Sequence, residues 1–294
     1  MRWSRKSTWA RCNTGNTGNT GFQFHDIALS SVESMQRMSN WKIALRESPL
    51  KPIYLWLANR WRGIRQLFTY PDTASVGAVD YDVYWDKKAG ARIGRLSPWR
   101  LKRAQAMASL IEPGSSVFDL GVGDGALLKY LIDEREIDGV GVDVSPKAVA
   151  FCAANGLNVR LADVNKPASL YMRELFADHV FDYAILSEII EHLPDPESLL
   201  RDLQPFVRRG FIVSIPNTGF HQHRLRLLLG RFPLQWVVTP GEHLRFWTRA
   251  DFHWWARQLG YRIAREIPYQ GTPLLKDALP GLFAAAFVYL LTPE

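Results

Sequence analysis

The chain has 294 residues, a formal net charge of +7 and two cysteines. This length exceeds one average domain and suffices for a catalytic domain with an extension. Cys12 and Cys152 are too few for a disulfide framework, and no apolar run reaches the roughly 18 residues that a membrane-spanning helix needs. The basic N-terminus lacks the apolar core and cleavage site of a signal peptide. We therefore expect a cytoplasmic protein.

The charge is distributed unevenly along the chain. Residues 1–70 contain 11 Lys and Arg against 3 Asp and Glu, residues 71–200 contain 13 against 20, and residues 201–294 contain 12 against 6. The Arg-rich C-terminal part favours an anionic acceptor or an anionic surface partner. A solvated, arginine-rich face explains the same composition equally well.

The first 95 residues form an extension with two parts. The NTG repeat at 13–21 has the polar composition of a disordered segment, so we expect disorder over residues 1–40. In the second part, residues 41–95, the stretch 41–70 carries apolar residues at helical spacing among Lys and Arg. It predicts a basic amphipathic helix, interrupted near Pro49 or Pro52. Such a helix could lie on an anionic membrane surface, making the protein peripheral to the membrane, or dock onto its own catalytic domain or a second subunit.

The most informative segment is VFDLGVGDGALLKYL at 117–131. Its first four residues predict a short buried strand, and an apolar run with helical spacing begins at Ala126. Gly121, Gly123 and Gly125 predict a tight turn between them. A strand, a glycine turn and a helix N-terminus together place backbone N–H groups around a small polar ligand.

Two ligands compete for this turn. Gly121, Gly123 and Ala126 satisfy the dinucleotide pattern G-x-G-x-x-G/A, which places a pyrophosphate over the helix N-terminus. Asp119 and Asp124 would then lie near phosphate, and like charges disfavour that arrangement. S-adenosylmethionine carries an ammonium and a sulfonium and has no phosphate, so an acidic turn suits it. An ordinary turn with incidental glycines is the third interpretation.

Further polar residues follow predicted strands in chain order. Strand 140–144 contains Asp143, about 20 residues past the glycine turn, where a carboxylate can accept hydrogen bonds from ribose hydroxyls. Strand 159–162 is followed by Asp163 and Val164, which could contact an adenine. Strand 181–186 is followed by Ser187. The predicted cofactor-binding residues are Asp119, Gly121, Gly123, Gly125, Asp143, Val144, Asp163, Val164 and Ser187.

These motifs resemble the class I S-adenosylmethionine-dependent methyltransferases over about residues 97–292. The resemblance is carried by DLGVGDG at 119–125, GVDVS at 141–145 and FDYAILSEIIEHLPDPESLL at 181–200. Within that superfamily, SIPNTGFHQHRLRLLLGRFP at 214–233 and HLRFWTRADF at 243–252 are similar to the methionine biosynthesis MetW proteins. The resemblance implies an α/β, Rossmann-like, doubly wound, mostly parallel seven-stranded sheet with helices on both faces, over residues 96–294. Ser97 and Pro98 predict the start of a helix at 98–111 that closes over the cofactor.

The resemblance implies S-adenosylmethionine as cofactor and methyl transfer to a small-molecule acceptor. Glu191 and His192 follow the fourth strand on the acceptor side, and His192 has an unperturbed pKa suited to a general base. His243 is a further candidate catalytic residue. Glu191 and His192 could instead only order the local helix. His221 and His223 lack accompanying Cys or carboxylate ligands, so we predict no metal site.

Three functional hypotheses remain open from the sequence. The first is methyl transfer to a small molecule, and the second is a MetW-like protein that binds S-adenosylmethionine and modulates a partner biosynthetic enzyme. In the second case, residues 219–232 would form a lid or docking helix. The third is an NAD-dependent oxidoreductase. Nucleic acid is an unfavoured partner, because the basic residues lack the aromatic spacing of single-strand binders.

Overall fold

The computed structural model describes residues 49, 51–70, 94–235 and 242–294. The disorder predicted for residues 1–40 and most of the remaining extension lie outside these ranges. The chain divides into two compact units, Met1–Ile64 and Arg65–Glu294. The predicted break near Pro49 or Pro52 marks the start of helix α1, Lys51–Phe68, which has basic residues and no acidic residue in its sequence. The structure thus contains a helix within the predicted stretch, and the amphipathic role of this segment stays a prediction.

The larger unit contains a seven-stranded sheet in the order β3-β2-β1-β4-β5-β7-β6. Strands β1 to β5 pair in parallel, and β7 pairs antiparallel with both β5 and β6. The sheet is therefore Rossmann-like but mixed. The strands are β1 Ser116–Leu120, β2 Asp138–Asp143, β3 Asn158–Leu161, β4 Phe181–Ser187, β5 Val207–Pro216, β6 Tyr261–Gly271 and β7 Ala284–Pro293.

Helices flank the sheet between these strands. In the described part of the larger unit they are α2 Pro98–Ala108, α3 Ala126–Arg135, α4 Pro146–Ala154, α5 Ala168–Phe176, α6 Pro196–Leu203, α7 His221–Leu228, α8 Arg249–Gln258, α9 Leu275–Ala278 and α10 Pro280–Phe283. A 3-10 turn, Ile190–His192, follows β4. No helix within the described ranges combines the length and the apolar character that crossing a bilayer requires.

The hydrophobic core lies on both faces of the sheet, because successive strand residues point to opposite sides. In β1, Phe118 and Leu120 join one apolar cluster with residues of α5, α6 and α8. Val117 joins the other cluster with residues of α2 and α3. A strand covered by helices on both faces must be apolar almost throughout, which is why β1 stands out in the sequence. The one charged residue in its buried part is Asp119, so its position needs a separate explanation.

The predicted elements agree with the structure within a few residues, with two differences. Strand β5 starts at Val207 rather than at 211, because its first residues pair with the start of β4. Strand β6 was not predicted: its sequence YRIAREIPYQG is polar at many positions, and most of its residues are exposed or only half-buried. Helix α2 begins at Pro98 after Ser97, as predicted.

Candidate functional site

The glycine turn between β1 and α3 has the backbone conformation that its sequence requires. Gly121, Gly123 and Gly125 have φ angles of 71°, 60° and 70°, in the left-handed region that favours glycine. A Cβ atom on Gly121 would lie 2.3 Å from Ile189 Cδ1. The turn is also tied to the next strand, since Gly121 N and Val122 N both donate to Val142 O. It is therefore a shaped cradle at the carboxyl edge of the sheet.

Val122 fills a space that a second glycine provides. A Cβ atom on Gly141 would lie 2.3 Å from Val122 Cγ2 and 2.5 Å from Asp119 O. Val122 is buried, and its side chain packs closely over Gly141 of β2. The GVDVS motif therefore starts with a glycine because the neighbouring turn approaches β2 closely.

Asp119 ends the apolar part of β1 with a buried carboxyl group. Its relative exposure is 1%, and Oδ1 has no hydrogen-bond partner. Burial raises its pKa to about 8; the positive charge of Arg103 opposes this rise, and Asp143 adds to it. A buried carboxyl group without a partner is costly. A cationic group of a ligand would supply the missing partner.

Asp143 closes the other side of the turn. Its Oδ2 accepts a hydrogen bond from Gly123 N at 2.8 Å, and its Oδ1 accepts one from Ser145 N at 2.9 Å. Burial raises the pKa of this carboxyl group, while hydrogen bonds from backbone N–H groups oppose the rise. Each oxygen retains a further acceptor site. Asp143 thus holds the glycine turn in shape and can also receive hydroxyl donors.

Helix α2 brings arginines to the site that sequence reasoning missed. Arg100 makes a bidentate ion pair with Asp124, with distances of 2.5 and 2.7 Å. Burial alone would raise the pKa of Asp124, but hydrogen bonds and charge from Arg100 lower it overall. The sequence argument that Asp124 would repel a phosphate is therefore weakened, because Arg100 neutralises it. Arg103 lies one helical turn further along and packs over the Trp99 ring at 5.0 Å.

These groups surround a cavity of about 250 Å³ that joins both ends of the predicted site. Five of the predicted site residues line it: Asp119, Gly121, Gly123, Ser187 and His192. Trp99, Arg100, Arg103 and Glu188 line it as well. Helix α2 thus contributes a wall of the cavity, in keeping with its predicted position over the cofactor. The helical spacing of positions 99, 100 and 103 was the sequence signal for these residues.

The other predicted cofactor residues do not line this cavity. The Asp163 Oδ1 accepts hydrogen bonds from Asn165 N and Nδ2, and Val164 lines a separate cavity of about 160 Å³. Val144 is 40% exposed. A Cβ atom on Gly125 would collide with Leu157 and Cys152 side chains. The roles of these residues in adenosine binding stay predictions.

Glu191, His192 and His243 form a compact cluster beyond the fourth strand. One potential ligand atom from each lies within 4.8 Å of the others, and the two imidazole rings are 4.7 Å apart and perpendicular. Leu244 N and Arg245 N both donate to Glu191 O, at 2.8 and 3.0 Å. These hydrogen bonds connect the 3-10 turn to the segment that carries His243. The structure thus brings together the three predicted catalytic residues, although His243 lies 51 positions after His192 in the sequence.

The electrostatics of this cluster are dominated by burial. Burial, followed by the negative charge of Glu188, raises the pKa of Glu191 well above its usual value. Burial, followed by His192, lowers the pKa of His243 to about 4, so its imidazole is neutral at pH 7. Glu188 adopts a left-handed φ of 55°, and its Oε1 accepts a hydrogen bond from Ser214 Oγ at 2.9 Å.

The arginines of the C-terminal part are largely engaged inside the protein. Arg226, only 1% exposed, donates to the carbonyl oxygens of Gln66, Thr69 and Phe232. Arg249 pairs with Glu266 at 2.7 Å, and Arg245 with Glu197 at 3.3 Å. The arginine excess therefore serves internal contacts at these positions, and the composition argument for an anionic acceptor loses support. His223, in the H-x-H pair, has a structural role, since its Nδ1 accepts from Leu234 N.

Comparison with known sequences identifies the family. The sequence model described as methionine biosynthesis protein MetW matches residues 102–290, which cover the sheet and the candidate site. The chain belongs to the MetW family, within the class I S-adenosylmethionine-dependent methyltransferase superfamily. S-adenosylmethionine is therefore the cofactor that this superfamily implies, in agreement with the acidic glycine turn.

Two curated relatives and one solved structure illustrate the similarity. The bifunctional methionine biosynthesis protein MetXA/MetW of Rhodopirellula baltica is 30% identical over 201 residues, which are 61% of this chain and 31% of that protein. The ubiquinone biosynthesis O-methyltransferase of Pseudomonas aeruginosa strain LESB58 is 23% identical over 66% of this chain and 84% of its own length. The crystal structure of a SAM-dependent methyltransferase from Archaeoglobus fulgidus has a TM-score of 0.51 and 17% identity, covering 74% of this chain and 100% of that one. This chain thus spans less than a third of the bifunctional relative.

The buried carboxyl group of Asp119 predicts a pH-dependent stability. An unfolded Asp119 ionises near pH 4, whereas the folded one ionises near pH 8, so folding must take up a proton between these values. The free-energy cost of burying Asp119 that depends on pH is absent below about pH 4. It grows as the pH rises and becomes constant above about pH 8. We expect Asp119→Asn to raise the free energy of unfolding by on the order of a few kcal/mol at pH 8 and by much less at pH 5. Urea unfolding at the two pH values measures this.

Asp124→Asn is the matched control, because the pKa of Asp124 is lowered by Arg100. The stabilisation that the Asp124 carboxylate gives to the folded state is present above the pKa of this group in the unfolded chain. It is lost as the pH falls through the pKa in the folded protein. This variant should therefore lose stability at pH 8. Equal destabilisation by both substitutions at pH 8 would contradict the assignment of Asp119 as an unpaired buried carboxyl group.

Proposed function

We propose that this protein transfers a methyl group from S-adenosylmethionine to a hydroxyl oxygen of a small-molecule acceptor. The observation that carries the proposal is the single cavity lined both by the acidic glycine turn and by His192. A cofactor end and an acceptor end within one cavity provide the proximity that a group transfer needs. The O-methyltransferase named among the relatives supports oxygen as the acceptor atom.

The residues of the glycine turn fit the cofactor's charge and shape. The unpartnered Asp119 Oδ1 suits an ammonium group, and Asp143, with acceptor sites to spare, suits ribose hydroxyls. When bound, S-adenosylmethionine supplies an electrophilic methyl group on its sulfonium. The protein's contribution is to orient the two partners and to exclude water, for which Trp99 and Arg103 form the cavity wall.

The acceptor end of the cavity contains His192, which can accept the proton of the acceptor's hydroxyl group. The His192 Nδ1 lies 3.0 Å from Glu242 O. A carbonyl oxygen can only accept a hydrogen bond, so Nδ1 donates to it and Nε2 is the nitrogen left for the acceptor's proton. In the simplest form of the proposal, Nε2 accepts the hydroxyl proton as the oxygen attacks. Glu191 and His243 hold this imidazole within a buried cluster.

A second candidate function is binding and modulation of a partner biosynthetic enzyme. Family membership favours it, since the bifunctional relative combines MetXA and MetW in one protein. Such a role would retain cofactor binding without requiring turnover. The two candidates are therefore separated by detection of a methylated product and not by cofactor affinity.

The cofactor assignment predicts a graded effect of two substitutions. Asp143→Ala should weaken binding of S-adenosylhomocysteine by about tenfold or more, because it removes charge-assisted hydrogen bonds worth roughly 1.5–3 kcal/mol each. Asp163→Ala, whose carboxylate is already bonded to Asn165, should have a smaller effect. Isothermal titration calorimetry measures the affinity of both variants and of the parent for S-adenosylhomocysteine and for NAD. A folded Asp143→Ala variant with parental affinity, or tight NAD binding by the parent, would contradict the assignment.

The proposed transfer predicts turnover that depends on His192. The parent protein should convert S-adenosylmethionine to S-adenosylhomocysteine with metabolite extracts from a deletion strain. Mass spectrometry should find one species heavier by a CH2 unit, because a methyl group replaces the hydroxyl hydrogen. His192→Asn should lower turnover by about 100-fold or more with little change in cofactor affinity. His179→Asn, an exposed histidine outside the site, is the control. Cofactor binding without any methylated product in such extracts would favour the second candidate.

We also propose that helix α1 contacts anionic membrane surfaces. Ile53, Leu57, Trp61 and Ile64 recur at helical spacing along one side and are between 46% and 65% exposed. Lys51 and Arg62 lie on the other side of the helix, Arg65 at the border and Arg60 beside the apolar row, and α1 has no acidic residue. An exposed apolar row with basic residues beside it is typical of helices that lie in the lipid headgroup region.

Vesicle binding tests this surface. The full chain should co-sediment with vesicles of phosphatidylcholine and phosphatidylserine at low salt, and much less with phosphatidylcholine alone or at high salt. Leu57→Ser combined with Trp61→Ser should abolish binding. Leu55→Ser is the matched control, because Leu55 is 42% exposed but lies outside the apolar row. A parent chain that ignores anionic vesicles at low salt would leave docking on protein as the role of this helix.

A further inference from the structure

The strongest unexplained feature is the environment of the Glu191 carboxylate. Glu191 is 1% exposed, and neither of its side-chain oxygens has a hydrogen-bond partner. No lysine or arginine in the described part of the chain forms an ion pair with it, since Arg103 lies against Glu188 at 3.6 Å. Burial of both side-chain oxygens without hydrogen bonds is costly even for a neutral carboxyl group, so the missing partner of Glu191 needs an explanation.

Two imidazoles face this carboxylate with suitable atoms. His192 Nε2 lies 3.9 Å from Glu191 Oε1, and ligand atoms of Glu191, His192 and His243 are all within 4.8 Å of one another. Donor atoms bonded at about 2.1 Å to one tetrahedral cation lie roughly 3.4 Å apart. The cluster would thus need side-chain shifts of about 1 Å to surround a cation.

The groups around the cluster fix the orientation of the His192 ring. The Nδ1–H of His192 is held by Glu242 O at 3.0 Å, the contact that typically fixes the tautomer of a metal-bound histidine. His243 Nδ1 is buried and lacks a partner. The backbone bonds from Leu244 and Arg245 to Glu191 O fix the two segments relative to each other.

We propose that Glu191, His192 and His243 bind one divalent transition-metal cation. Two imidazoles and one carboxylate suit Zn²⁺ or Mn²⁺ better than Ca²⁺ or Mg²⁺, which prefer oxygen ligands. Three protein ligands leave a coordination position open, and His192 lines the cavity that also contains the glycine turn. His192 is therefore the ligand that would connect the cation to the space assigned to the acceptor. The proposal departs from the sequence expectation of no metal site, which considered only His221 and His223.

The cation's role in the reaction, unlike the site itself, rests on the proposed function. A cation at this position would bind the acceptor's hydroxyl oxygen and lower its pKa, so that its proton leaves to solvent. The oxygen then forms the new bond to carbon, while the carbon–sulfur bond breaks and S-adenosylhomocysteine is released. His192 would then act as a ligand and not as the proton acceptor.

Metal titration of the full chain tests the site directly. The protein, free of any histidine tag and stripped with a chelator, is titrated with Mn²⁺, and free Mn²⁺ is followed by electron paramagnetic resonance; Zn²⁺ competes in a second series. We expect one Mn²⁺ per chain, displaced by Zn²⁺. Glu191→Gln and His243→Gln should each weaken binding by at least about tenfold. His221→Gln, which removes a histidine of the H-x-H pair, should bind as the parent does.

Several outcomes would overturn the proposal. These are no saturable Mn²⁺ or Zn²⁺ binding by the parent, unchanged binding in both cluster variants, or loss of binding in His221→Gln. If a cluster variant fails to fold, the parent protein is loaded with Co²⁺ and studied by proton NMR. Two paramagnetically shifted imidazole N–H resonances are expected, and their absence would contradict the site. S-adenosylhomocysteine affinity is measured on the same samples. Normal cofactor binding and turnover without metal binding would overturn this inference alone, whereas metal binding without turnover would overturn only the proposed function.

Discussion

The burial of an acidic side chain at the end of β1 is the constraint on which the site depends. Asp119 is enclosed by the sheet, by the glycine turn and by α2, and burial raises its pKa to about 8. A site that excludes water from a carboxyl group selects a ligand that brings a positive charge to it. The neighbouring Asp124 does not share this role, because Arg100 neutralises it. The preference for a sulfonium cofactor over a dinucleotide therefore depends mainly on one carboxyl group.

Much of the fold was predictable because its signals are local. Strands β1 to β4 are short apolar runs, and the glycines of the turn occupy φ angles that other residues avoid. Strand β6 was not predicted, because it lies at the sheet edge. Polar residues are tolerated there, so its sequence lacks a continuous apolar run. The Arg100–Asp124 pair joins residues 24 positions apart, and neither sequence neighbourhood indicates the other. The engagement of Arg226 and Arg249 inside the protein was equally hidden, which is why composition overstated the case for an anionic acceptor.

The acceptor end shows how a distant segment completes the site. The 3-10 turn after β4 supplies Glu191 and His192, and the segment after residue 242 supplies His243 and two backbone donors to Glu191 O. The sequence indicated these residues one at a time, as candidate bases. Their convergence shows that, within the described residues, the side-chain oxygens of Glu191 have no hydrogen-bond partner and that two imidazoles lie beside them. The MetW match spans both segments, so this convergence belongs to the part of the chain that defines the family.

The central claim is that Asp119 stays protonated until a cationic ligand arrives. Calorimetric titration of S-adenosylhomocysteine at pH 6.5, in buffers of different ionisation enthalpy, counts the protons exchanged on binding. At that pH the Asp119 carboxyl group, with a pKa of about 8, is mostly protonated, and an ammonium beside it lowers that pKa. The account predicts release of most of one proton by the parent protein and none by any residual binding of Asp119→Asn. Binding by the parent without proton release would contradict it.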